Sequence, residues 1–117
     1  MSDTFNPLEG SALKAICLQY PDVSELLRAQ LATATIAERE NTGSGFFTHF
    51  RVDNTLPRLS GNRVLDGPWF DVRELSLPMC FLLFVNDGYA DCLEGASTGE
   101  DDTRLIDFSR VQFSLHE

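Results

Sequence analysis

Of the two histidines in this chain of 117 residues, His49 is the one that stands away from the terminus. Imidazole exchanges protons near neutral pH, so any general base catalysis here would rest on His49. A thiol partner could come from Cys80 or Cys92, since nucleophile and base meet in space rather than in sequence. The competing reading is a strand histidine that is partly buried or faces solvent.

Paired carboxylates are the next chemistry to weigh. Glu38 and Glu40 lie two apart, and on a strand they point the same way while Arg39 between them points to the opposite face. Such a pair divides acid and base roles only when burial separates their pKa values, and the flanking residues give no sign of burial. Glu100, Asp101 and Asp102 offer oxygen ligands for a divalent cation, but their spacing does not fit a calcium-binding loop, which favours a solvated loop. The run Asn41-Thr42-Gly43-Ser44-Gly45 could present backbone N–H groups to an anion. It lacks the lysine and following helix of a phosphate loop, so a structural turn is expected.

Cys17, Cys80 and Cys92 make an odd count with apolar neighbours and no C-x-x-C pair. They read as small buried hydrophobes, with neither a disulfide nor a zinc set expected. No catalytic or cofactor signature emerges. Nine Phe and one Trp are many for a chain this short, and among Trp69, Phe70, Phe46 and Phe47 at least one is expected at a contact surface. The candidate binding residues are therefore His49 and Phe47 on one strand face, Trp69, and Tyr89, Asp91 and Glu94 on a hairpin strand.

These side chains need elements to position them. Asn6, Pro7 and Glu9 have the form of a capped helix start, followed by Leu13, Ile16, Cys17 and Tyr20 at helical spacing. Pro21 interrupts, Asp22 with Glu25 suggests a second capping box, and Val23, Leu26, Leu27 and Leu31 lay out another apolar stripe. After Ala34 the pattern turns to strand. The glycine turn at 43–45 joins Thr33 to Ile36 to the alternation of Phe46, Thr48, Phe50 and Val52 with Phe47, His49 and Arg51, which predicts a hairpin.

Short strands are expected at Arg63-Val64-Leu65 and from Trp69 to Val72. Met79 to Val85 is apolar at every position, which predicts a central strand covered on both sides. Asn86-Asp87-Gly88 predicts a tight turn into an antiparallel partner from Tyr89 to Glu94. A last strand is expected from Ile106 to Leu115. Helices first and strands afterwards predict a single α+β domain, 1–117, its N-terminal helical pair packed on a mainly antiparallel sheet of about five or six strands.

The formal net charge of −9 bounds the partners. From Asp87 to Asp107 the acids Asp87, Asp91, Glu94, Glu100, Asp101, Asp102 and Asp107 are answered by Arg104 alone. That field repels phosphate backbones and anionic lipid heads, so neither nucleic acid nor membrane is expected as a partner, whereas a basic protein would be drawn in. Nothing in the opening Met1-Ser2-Asp3-Thr4 has the form of a secretory signal, and no apolar run has the length of a membrane span, so cytoplasmic residence is expected.

Two stretches, Arg39-Glu40-Asn41-Thr42-Gly43-Ser44-Gly45-Phe46-Phe47-Thr48 and Phe84-Val85-Asn86-Asp87-Gly88-Tyr89-Ala90-Asp91-Cys92-Leu93-Glu94-Gly95, resemble a set of small bacterial proteins of unassigned function. Those share a turn with an FFT strand and a DGY-type hairpin, and the resemblance implies a bacterial cytosolic origin without carrying any active site. The functional expectation is a non-enzymatic acidic interaction protein, immunity-like, binding a basic protein. The alternatives are a small-ligand binder or enzyme with a pocket near His49, and a structural module that self-associates as a homodimer.

Overall fold

The computed structural model describes residues 4–117. Met1, Ser2 and Asp3, part of the opening read for a secretory signal, lie outside the described residues. Helix α1 spans Pro7–Gln19. Its start is closed reciprocally: the Asn6 side chain accepts from the Glu9 N–H, and the Glu9 carboxylate accepts from the Asn6 N–H. Leu8, Ala12, Leu13, Ile16 and Cys17 form its buried face.

Helix α2, Ser24–Leu31, starts differently from expectation. Val23 is its cap and makes no side-chain cap bond, so Asp22 with Glu25 forms no capping box. The reason is local: the Val23 N–H bonds back to the Tyr20 carbonyl, and this turn carries the chain one residue past Asp22 before the helix begins.

Seven strands follow: β1 (Thr35–Asn41), β2 (Gly45–Arg51), β3 (Arg63–Asp66), β4 (Phe70–Val72), β5 (Met79–Asn86), β6 (Tyr89–Ser97) and β7 (Phe113–Leu115). They form one antiparallel sheet in the order β1-β2-β6-β5-β4-β7, with β3 also paired to β5. The chain is thus α+β with its helices at the N-terminus, and the antiparallel sheet has seven strands against the expected five or six, two of them, β4 and β7, only three residues long.

The β5–β6 connection has two residues, Asp87 at φ 52° and Gly88 at φ 85°. Two positive φ values in succession define the primed turn whose twist matches the strands it joins. β5 is central as expected, but it is covered on one side only. Met79, Phe81, Leu83 and Val85 are buried against the helical layer, while Cys80, Leu82 and Phe84 on the other face are half-buried. Two short helices suffice for a single face of the sheet.

The expected strand from Ile106 to Leu115 is also shorter, since only Phe113–Leu115 pairs, with β4. Upstream, the Asp107 carboxylate accepts from the Ser109 N–H and hydroxyl, and the Arg110 N–H bonds the Asp107 carbonyl, which bends the chain into a turn. Buried Thr103 holds this segment to the sheet. Its N–H donates to the Gly43 carbonyl, and its hydroxyl accepts from Gly45 N–H at 2.9 Å and donates to Asn41 Oδ1 at 3.0 Å.

Two buried polar residues join the layers. Glu9 accepts from Arg39 twice, Nη2 to Oε1 at 2.8 Å and Nε to Oε2 at 2.9 Å, and from the hydroxyl of buried Thr48. Gln30 on α2 donates from Nε2 to the carbonyls of Pro57 and Gly88, and its Oε1 accepts from the Ala90 N–H at 3.0 Å. Every hydrogen-bonding group of that carboxamide in contact with the core is matched, as burial demands.

Candidate functional site

Strand register assigns the face left free by the helices. Directly opposed residues share a face. One row therefore runs Glu40, Phe47, Glu94, Leu82, and the next runs Glu38, His49, Cys92, Phe84, Val64. Phe47, Leu82 and Phe84 lie on the inner strands with His49 and Glu94 among them, the carboxylates of Glu38 and Glu40 close the face at the β1 edge, and Val64 stands at the opposite edge on β3. Val64 is 56% exposed, a high value for a β-branched residue within a sheet. A depression of about 550 Å³ opens on this face, floored in part by Phe47, His49, Phe84 and Cys92, with Arg51 and Asp91 on its margin.

His49 lies in the second row, between Glu38 and Cys92. Its ring stacks on Phe47 at 5.9 Å between centroids and 20° between planes, and its Nε2 stands 4.0 Å from Glu40 Oε1. The imidazole is 43% exposed. Register places His49 directly opposite Cys92, so the proximity required of a histidine–thiol pair exists.

The electrostatics run against its use. Burial first, and then the carboxylates of Asp91, Glu94 and Glu40, push the Cys92 thiol up to about 11 from an ordinary value near 9. A nucleophilic cysteine needs the opposite surroundings, with positive charge nearby to favour thiolate. Cys80 is raised as well, by burial and then by Glu94.

Cys92 should accordingly be alkylated by iodoacetamide at pH 8 more than about a hundredfold slower than a free thiol, and at the ordinary rate once the chain is unfolded. Mass spectrometry of the Cys92 peptide after timed labelling reads this, and labelling at the free-thiol rate in the folded protein would contradict it. The same shift has a sign for stability. The unfolded thiol ionises from about pH 9 while the folded one keeps its proton to about pH 11, so stability present below pH 9 is drawn down across that window.

The other expected site residues divide. Phe47, His49 and Glu94 share the open face, and Asp91 sits at its edge, in the irregularity between Phe84 and Val85 where its carboxylate accepts two bonds from Asn86. Tyr89 does not join them. Its hydroxyl donates to the carbonyls of Asn54 and Leu56, both at 2.8 Å, and the Arg58 guanidinium lies over its ring, so it fastens the 53–62 loop to the hairpin. Trp69, 47% exposed, precedes β4 on the far side of β5.

Gly43 and Gly45 both take positive φ in the β1–β2 turn, and the Gly45 N–H is spent on Thr103. In the acidic loop, Asp101 accepts from the Ser76 N–H and hydroxyl, and Asp102 is gripped by Arg104, which holds its carboxyl down to about 2. Among the described residues no group of three or more His, Cys, Asp or Glu side chains is placed to hold a metal ion. No helix among them is long and apolar enough to cross a membrane.

Sequence reasoning did not name Leu82, Phe84 and Val64 as site residues. For Leu82 and Phe84 the signal was present in the unbroken apolar run of β5, which a sheet covered on one face alone must partly display; Val64 stands outside that run, on β3. The chain matches no family model, no curated protein and no solved structure.

Proposed function

We propose that this chain is a non-enzymatic interaction protein whose open sheet face receives a basic protein, in the manner of acidic immunity proteins that neutralise toxins. The observation that carries this reading is the face itself, where Phe47, Leu82, Phe84 and Val64 are shown together with Glu38, Glu40 and Glu94. Apolar area removed from water supplies affinity, at about 25 cal/mol per Å² before the costs of association. The carboxylates supply attraction at a distance and select a partner of opposite sign, reinforced by the net charge of −9. A bacterial, cytoplasmic setting belongs to the same proposal.

The test compares the wild-type chain with E40K/E94K, both immobilised, against a lysate of the source cells at low salt. The wild type is expected to retain a basic protein that moderate salt releases, and the double variant to retain it at least about tenfold less. Equal retention of the same proteins by both chains would overturn the reading. Both substituted side chains are partly exposed on the sheet surface, so matching thermal melts of the two chains establish that the fold is intact.

A further inference from the structure

β1 is the outer strand at its end of the sheet, and among the described residues nothing pairs its far side. An antiparallel strand directs half its N–H and C=O groups to each neighbour, so the free side of Thr35–Asn41 keeps donors and acceptors for one more strand. Two features restrict which strand fits. Glu38 and Glu40 alternate onto the open face and are exposed, Glu40 at 56% of its side chain. On the opposite face Arg39 is drawn inward by Glu9, and these two border a cavity of about 480 Å³ whose apolar wall is Phe46, Ile106 and Phe108 and whose polar rim includes Asp107.

We propose that β1 receives an extended basic segment of the partner as an eighth strand. Its Lys or Arg side chains lie beside Glu38 and Glu40, and its intervening apolar side chains lie toward the cavity. This rests on the reading of the open face given above and adds to it the form of the segment recognised. Charge complementarity decides the occupant. A second copy of this chain, pairing β1 with β1, would set Glu38 and Glu40 against their own counterparts, which is destabilising across strands. A helix has no free backbone groups to complete the ladder, whereas strand addition draws its affinity from them.

The experiment uses the full chain, labelled with ¹⁵N, and a capped octapeptide of alternating Lys and Val. Its comparison peptide is identical except that alternate backbone amides are N-methylated, which keeps the charge and removes the ladder donors. The unmodified peptide is expected to bind at least about tenfold more tightly, and the amides of residues 35–41 to gain protection from exchange. An E38K/E40K chain, whose substitutions are at exposed positions, should lose the Lys-Val peptide and take up a Glu-Val one.

Equal binding of the methylated peptide would overturn strand addition, as would failure of the unmodified one to bind. Perturbation confined to Val64 and Phe84 would overturn it too, while leaving the open-face reading in place. That reading stands or falls separately, on the capture experiment with E40K/E94K.

Discussion

Glu9→Ala is expected to lower the free energy of unfolding by about 3 kcal/mol, read as a drop in the urea midpoint at unchanged slope. The carboxylate is fully buried between α1 and the sheet and receives the Asn6 N–H, two bonds from Arg39 and the Thr48 hydroxyl. Its removal undoes one half of the capping box, the bond to the Asn6 N–H, and orphans a buried hydroxyl in one step. Arg39 moderates the loss because its side chain is 38% exposed and can turn to water, which is why the lower end of the range for broken buried pairs applies. An Arg39→Ala chain with Glu9 intact should suffer comparably, because the stranded carboxylate has no route to solvent. A cost below about 1 kcal/mol for Glu9→Ala would show that the cluster is a passive filling of the core.

Gly45→Ala is expected to cost more, about 4 kcal/mol or above, and to leave little folded protein at ambient temperature. Gly45 holds φ at 134°, where an L side chain is strained, and a Cβ there would stand 2.0 Å from the Gly95 carbonyl oxygen. Neither partner can yield. Gly45 pairs Ala96 in the β2–β6 ladder, and Gly95 is itself wedged against the rings of Phe46 and Phe81. Gly10→Ala supplies the internal comparison: that glycine lies in α1 with open space where a Cβ would go, and alanine there should be neutral or stabilising by up to about 1 kcal/mol. Circular dichroism melts of the two alanine variants side by side would settle the contrast, and similar melting of both would refute it.

The sequence was most legible where a local rule acts within a few residues. Asn6, Pro7 and Glu9 carry a complete capping box, and Asn86-Asp87-Gly88 carries the turn that the β5–β6 hairpin uses. The α+β class followed from the order of periodicities. Legibility failed where a distant partner decides. Asp22 and Glu25 have the right spacing for a cap, yet a single backbone bond to Tyr20 moves the helix start beyond it. Phe108 and Val111 look like strand residues, but Thr103 and Asp107 commit the surrounding backbone to turns. The pairing of Glu9 with Arg39, thirty residues away, has no periodic signature at all.

The site was legible by residue type and less so by position. Phe47, His49 and Glu94 do share a face, because alternation along a strand and register across it are short-range rules. Tyr89 stands apart from them, since its bonds go to a loop 33 and 35 residues earlier, which no pattern announces. The exposed edge of the apolar run depended on a count no spacing reveals: how much of a seven-stranded sheet two helices of 13 and 8 residues can shelter.

The carboxamide of Gln30 has a consequence for how the molecule assembles. Its partners at Gly88 and Ala90 are 58 and 60 residues downstream, so α2 cannot seat while the β5–β6 turn is unmade without leaving a polar group dry and unmatched. Docking of α2 and closure of the β5–β6 turn are therefore coupled through a single contact that spans half the chain.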